Sequence, residues 1–295
     1  MIARSMFLLS ALGIAAAQQP VVLVVTADAP DYVLAAGGTI AGMAATGAAV
    51  HLVRVTNDEK DSWKLSPEET IRRATEESLA AAKILGVRDV HALGYRGYDL
   101  GGVSFTEIRD RLIFLIRHYK PTVMFIPNPY TEFDRVVDRF YTGRAAEDAW
   151  RAAALENYQP PYADAGMRPH LTPELYYYAQ PHDPYRREPE STATFVPQPK
   201  FVDIAAQLDR KIRAAQAFST SNENMARRLA ERLASTGRTL PLLATVNDGS
   251  IAKLVEENVR GLAAVNAKET PHRAAEEFRY AGVEFRIPRK YRSAR

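Results

Sequence analysis

Apolar and polar positions along this chain switch between the period of a buried strand and that of a helix. "VVLVVT" (Val21 to Thr26) is a continuous β-branched run, the pattern of a strand buried on both faces in a parallel sheet. After it, Tyr32 to Thr46 is rich in Ala and Gly around apolar Val33, Leu34, Ile40 and Met43, and predicts a helix with Gly47 at its C-cap. "VHLVRV" (Val50 to Val55) predicts a second strand. Pro67, Glu68 and Glu69 open a helix in which Ile71, Ala74, Ser78, Ala81, Ala82 and Leu85 fall on one face, and Gly86 closes it. "VRDVHALGY" supplies a third strand. Ser104 and Glu107 then predict a capping box before a helix carrying Ile108, Leu112, Leu115 and Tyr119, and Pro121 marks the exit to a strand at Thr122 to Ile126.

Strand and helix thus alternate, which predicts an α/β fold with a doubly wound, mostly parallel, Rossmann-like sheet. In such sheets ligands bind beyond the carboxyl ends of the strands, here the loops after Thr26, Val55, Leu93 and Ile126. Further along, a helix is predicted over Thr142 to Asn157. An irregular stretch dense in Pro, Tyr and Arg follows from Tyr158 to Pro199, interrupted by a strand at Glu174 to Gln180, and another helix runs over Ile204 to Phe218. Tyr176, Tyr177 and Tyr178 are read as strand-packing residues first and sugar-stacking faces second.

Composition narrows the classes of function. The 38 basic and 35 acidic residues are interspersed and sum to +3, so no basic stripe tracks a phosphate backbone, and nucleic acid is not an expected partner. The absence of Cys excludes disulfides, thiolate metal sites and a Cys nucleophile. At the start, Arg4, the apolar run Met6 to Ala17 and the small pair Ala15 and Ala17 before Gln18 have the form of a cleavable signal peptide over residues 1–17. Export to a secreted or periplasmic location is the expectation. No later run is long and apolar enough for a transmembrane segment. The expected domain plan is an α/β domain over 18–221, with 222–295 as a C-terminal extension packed on it.

One stretch carries more than a fold. "ADAPDYVLAAGGT" (Ala27 to Thr39), ending the first strand, resembles the first motif of the PIG-L, or LmbE-like, deacetylases, A-H-P-D-D-E-x-L-x-x-G-G-T. The resemblance continues through "VRVTN", "EESLAAAKILGV", "LGYRGYDL" and "FVDIAAQLDRKIRAAQAFSTS", and covers roughly Val21 to Ser221. It implies metal-dependent de-N-acetylation of N-acetylglucosamine-type substrates. In that family zinc is held by the motif's His, its second Asp and a late His in H-x-D-H, and the first Asp is the general base on the metal-bound water.

This chain departs from that pattern where the chemistry lies. Asp28 stands at the His position, Ala29 at the following Pro, Pro30 at the general base and Tyr32 at the Glu; Asp31 alone is retained. In the late block Asp138 matches the Asp of H-x-D-H, while Val136 and Arg139 fall where its two histidines belong, and Phe218 replaces a His near the family's site. Proline cannot accept a proton, and a guanidinium offers only donors. Asp28 and Asp31, with Glu132, Asp134 and Asp138 near, could still form a carboxylate-rich site suited to calcium, magnesium or manganese rather than zinc. Alternatively Asp28 and Arg139 face one another as an ion pair in the former metal cavity. Tyr32, Arg96, Asp134 and Asp138 are the further pocket candidates. The cofactor expectation is accordingly none or a weakly bound divalent cation, with zinc implied by the resemblance alone.

The six histidines show no metal spacing to one another: His51 and His91 sit in strands, His118 ends a helix, and His170, His182 and His272 lie in loops. His182 and Asp183 in "QPHDPY" could turn toward the pocket. Two functional readings remain. One is an exported family member with catalysis lost or strongly reduced, binding an amino-sugar carbohydrate; the other is an active amide hydrolase using a carboxylate-rich divalent site. A nucleotide-binding enzyme is excluded, because neither G-x-G-x-x-G nor G-K-[ST] occurs.

Overall fold

A computed structural model describes residues 19–130, 136–179, 198–268 and 270–282. The expected signal peptide, Glu132, Asp134, His182 and Asp183 lie outside the described residues. Within them, β1 (Val21–Thr26), α1 (Asp31–Ala45), β2 (Ala49–Thr56), α2 (Pro67–Leu85), β3 (Asp89–Tyr95), α3 (Phe105–Tyr119), β4 (Val123–Pro127) and α4 (Val137–Ala152) form the alternating half. They are followed by α5 (Pro160–Asp164), β5 (Glu174–Tyr178), β6 (Gln198–Asp203), α6 (Leu208–Gln216), α7 (Ser219–Ala234), α8 (Asp248–Ala267) and β7 (Ala275–Ala281).

The seven strands make one sheet in the order β3-β2-β1-β4-β5-β7-β6. The first five run parallel, and β7 runs antiparallel to both β5 and β6. Winding proceeds outward from β1 to β3 and then returns to β4 on the other side of β1, so the topological switch point lies between β1 and β4. A crevice opens there beyond the strand ends. One face of the sheet packs Val22, Val24 and Leu52 against α1, α2, α6 and α8. The other packs Leu23, Val25 and Met124 against α3 and α4, around the fully buried Trp150. The C-terminal stretch supplies α8 and β7, and β7 is hydrogen-bonded on both sides.

Local signals explain most boundaries. The Ser66 hydroxyl accepts the Glu69 N–H at the start of α2, and Gly86 ends that helix at φ 84°. Gly47, at φ 97°, follows α1 by two residues. Two expectations fail for identifiable reasons. The Ser104–Glu107 capping box does not form: the Ser104 hydroxyl meets that of Thr106 at 2.9 Å, and Glu107 instead accepts the Tyr95 hydroxyl at 2.6 Å. The helix expected over Thr142 to Asn157 begins at Val137. Gly143, a breaker by propensity, belongs inside it because a Cβ there would lie 2.4 Å from the Pro127 carbonyl oxygen. It ends early because the buried Arg117 of α3 donates to the carbonyls of Ala153 and Leu155.

Glycine has a similar purpose in α1. A Cβ on Gly38 would lie 2.7 Å from Ile204 Cβ, and the carboxylate of Glu276 on β7 accepts the N–H groups of Gly38 and Thr39, each at 2.8 Å. Lys211 of α6 neutralises that buried carboxylate at 2.8 Å. The A-A-G-G-T run is therefore where α1 is clamped to the last strand and to the α6 segment.

Candidate functional site at the carboxyl end of the sheet

The site is built where β1 hands over to α1. Thr26 closes the strand and donates its hydroxyl to the Asp28 carbonyl at 2.7 Å, which fixes the turn. Pro30 occupies the N-cap of α1 and supplies no side-chain acceptor there. Asp31, first in the helix, places a nearly buried carboxylate at the positive end of its dipole. Across the switch point, the first turn of α4 presents Arg139. Its Nε donates to Asp31 Oδ2 and its Nη2 to Asp31 Oδ1, both at 2.9 Å, a two-bond fork.

The expected partner of Arg139 was Asp28, and the structure corrects this. The Asp28 carboxylate turns toward β2, where the Thr56 hydroxyl lies 2.8 Å from its Oδ1. That hydroxyl also lies 3.2 Å from Asp58 Oδ1 and 3.0 Å from the Ala27 carbonyl. A hydroxyl has one hydrogen, so it cannot satisfy three acceptors at once. The Ala27 carbonyl already accepts the Thr56 N–H at 3.1 Å, and a proton on one carboxyl lets that carboxyl donate to the hydroxyl while the hydroxyl donates to the other. Burial, and then the charges of Asp31 and Asp58, hold the Asp28 pKa well above the carboxylate range against the Thr56 bond and Arg139.

Two further aspartates come from the loop after β2. Asp58, in the left-handed region at φ 57°, receives the Ala29 N–H at 3.3 Å on each carboxylate oxygen and meets the buried Arg54 at 3.5 Å. Burial, followed by the charge of Asp61, pushes its pKa up to about 8. Asp61 is pushed up to about 8 as well, by burial and then by Asp28, Asp31 and Glu77. Arg54 is held by the Ala74 carbonyl at 3.3 Å and Thr75 at 3.0 Å. Four carboxyls thus face two guanidiniums, and the surplus negative charge together with burial raises the proton affinity of Asp28, Asp58 and Asp61.

The other candidates are placed as follows. Asp138 faces away from this cluster and accepts the N–H groups of Tyr98 and Leu100, the latter at 3.3 Å, so it anchors the loop after β3. Tyr98, in that loop, stands near the cluster: burial first, then the charges of Asp28 and Asp61, push its phenol up to about 12. Arg96 lies on the rim, with its side chain 69% exposed, and bonds Glu59 at 2.9 Å. Tyr32 is wholly buried in the apolar core rather than lining the crevice, and its hydroxyl has no hydrogen-bond partner. Phe218 is core as well.

Each described histidine is engaged elsewhere. His51 bonds Asp89, His91 bonds Tyr119, His118 stacks on Phe114, His170 bonds the Pro121 carbonyl, and His272 lies 3.6 Å from Asp203. Sequence reasoning missed Arg54, Thr56, Asp58, Asp61 and Tyr98 as members of the site. The signal was the acidic run "NDEKD" at the carboxyl end of β2, a strand end already marked as a ligand position.

Residues 23–150 match the family model described as PIG-L, GlcNAc-PI de-N-acetylase. The chain carries a PIG-L (LmbE-like) domain. It is 26% identical over 201 residues to diacetylchitobiose deacetylase of Thermococcus kodakarensis, covering 68% of this chain and 69% of that protein. It is 29% identical over 212 residues to 4-oxalmesaconate hydratase of Pseudomonas putida, covering 67% of this chain and 72% of that protein. In fold it is similar to N,N'-diacetylchitobiose deacetylase from Pyrococcus horikoshii, with TM-score 0.70 and 21% identity over 92% of this chain and 88% of that one. The chain is thus similar in sequence both to a diacetylchitobiose deacetylase and to a hydratase. Among the described residues no helix is long and apolar enough to cross a membrane.

Proposed function

We propose that this chain is an exported PIG-L-domain protein that binds an acetamido-sugar carbohydrate in the β1–β4 crevice and has lost zinc-dependent de-N-acetylation. One observation carries the reading: Arg139 occupies both oxygens of Asp31, the one metal-ligand position of the family's first motif that this chain retains. The guanidinium compensates that carboxylate's charge and takes a lone pair on each oxygen, so a metal ion would have to bind the remaining lone pairs against the charge of Arg139. The donor set also does not fit zinc. Asp28, Asp58 and Asp61 offer hard oxygens, the described histidines bond elsewhere, and Pro30 cannot take a proton from a water. The polar groups that remain, Arg139, Tyr98 and the protonated carboxyls, are donors and acceptors suited to hydroxyl and acetamide groups.

The test combines the metal content of the purified mature chain with hydrolysis of, and binding to, N-acetylglucosamine derivatives. Binding with neither stoichiometric zinc nor acetate release is the expected result. About one equivalent of zinc together with turnover would overturn the proposal.

A second reading draws on the surplus negative charge. A divalent cation could take the place of protons on the crowded carboxyls, giving a calcium-, magnesium- or manganese-dependent amide hydrolase. Acetate release that depends on added manganese or calcium would favour it.

A further inference from the structure

Beside the crevice lies a cavity that the site does not account for. It measures about 460 Å³, within the range of small-ligand pockets, and sits between the β2–α2 loop and the starts of α7 and α8. Its charged lining balances: Lys64 and Arg73 against Glu223 and Asp248. Lys64 is paired with Glu223 at 2.8 Å, and Arg73 with Glu69 at 2.7 Å. No net field favours an anion such as a phosphate. Hydroxyl and amide groups of Ser62, Thr220 and Asn222 intersperse these charges, and Leu65, Ile251 and Ala252 give an apolar patch. A neutral polyhydroxylated ligand, with apolar C–H faces and many hydroxyls, matches such a surface.

A second, independent feature points the same way. Trp63, between the lining residues Ser62 and Lys64 in the chain, is 56% exposed, and the Nζ of the lining Lys64 lies 5.7 Å from its ring centroid. The indole offers a flat apolar face of the kind on which the C–H face of a pyranose ring can stack. The cavity is tied to the crevice through the β2–α2 loop and through Glu77, whose charge acts on Asp61. Asp61 precedes Ser62 in the loop, and Glu77 accepts the hydroxyls of Ser219 and Thr220, both of which line the cavity, at 2.6 and 2.8 Å.

We propose that this cavity is a second sugar subsite, with Trp63 as its stacking platform, so that the ligand is an oligosaccharide whose next unit extends past Asp61 into it. This rests on the carbohydrate reading of the crevice. The experiment titrates the full chain with N-acetylglucosamine and with its β1,4-linked trimer, read by calorimetry and by tryptophan fluorescence. The chain has two tryptophans, and Trp150 is buried with its Nε1–H on the Thr172 carbonyl, so Trp63 supplies the response.

The trimer is expected to bind at least about tenfold tighter than the monomer and to blue-shift the emission. Trp63→Ala and the cavity-filling Ala252→Phe should each bring trimer affinity down to the monomer level and leave the monomer unchanged. Trimer binding that both variants leave intact overturns the subsite while sparing the crevice. Failure of monomer and trimer alike overturns the carbohydrate reading and this inference with it.

Discussion

Arg139, in the first turn of α4, holds both carboxylate oxygens of Asp31, in the first turn of α1, at 2.9 Å each. Two helix N-termini meet through this fork, and a cation in the first turn of a helix is disfavoured by the dipole unless an anion compensates it. Arg139→Ala should therefore remove the fork from Asp31, at a cost of about 3 kcal/mol, the lower end for a broken buried pair because Arg139 keeps some contact with water. The same variant takes the guanidinium charge off Asp31, so manganese or calcium should raise its melting temperature while leaving the unmodified chain unmoved. Equal shifts in both proteins would show that the fork does not exclude cations.

The crowded aspartates predict a stability that depends on pH. Asp58 and Asp61 keep protons up to about pH 8 in the folded chain, against an ordinary value of 3.8. Between those limits the folded state binds more protons than the unfolded one, so stability falls as pH rises from about 4 to about 8 and levels off outside that window. Asp58→Asn mimics the protonated acid, keeps an acceptor for the Ala29 N–H and tolerates the left-handed backbone. Its melting temperature should exceed that of the unmodified chain by more at pH 8 than at pH 5. Parallel curves would mean that Asp58 titrates normally.

The fold was legible wherever burial or capping is decided by near neighbours. The β-branched run of β1 could only be a strand covered on both faces, and Ser66, Pro67 and Gly86 bracket α2 by their own backbone chemistry. The site was legible as a place, the strand ends, but not as a set of contacts. Which aspartate meets Arg139 depends on the path of the turn between β1 and α1, where Thr56 draws Asp28 away. No local pattern encodes a partner 28 residues off. Asp138 and Tyr32 were misplaced for a related reason. An alignment gives a position in the chain, whereas the bonds to Tyr98 and Leu100 and the apolar surroundings of Tyr32 fix which way each side chain turns.

The clamp between α1 and β7 yields a prediction about distant sequence. Glu276 and Lys211 are both buried, and the carboxylate holds two backbone N–H groups of α1 as well as the ammonium. Lys211→Met should strand a buried anion and cost about 3–5 kcal/mol in urea unfolding. A loss within error would show that the two N–H groups alone neutralise Glu276.

Contact between Gly38 and Ile204 can be read as a coupling energy. Gly38→Ala forces a methyl to within 2.7 Å of Ile204 Cβ and Cγ2 in a region where α1 cannot withdraw without releasing Glu276, so overpacking of about 1–3 kcal/mol is expected. Ile204→Ala opens a cavity and costs about 2–5 kcal/mol by itself. In the double variant the Cγ2 and Cδ1 contacts are gone, although the Cβ that alanine keeps stays close, so the combined loss should fall short of the sum by about 0.5 kcal/mol or more. Measured by a four-protein cycle in urea, strict additivity would mean that α1 and the Ile204 segment do not approach as closely as the Gly-Gly run permits, and its glycines would need another explanation.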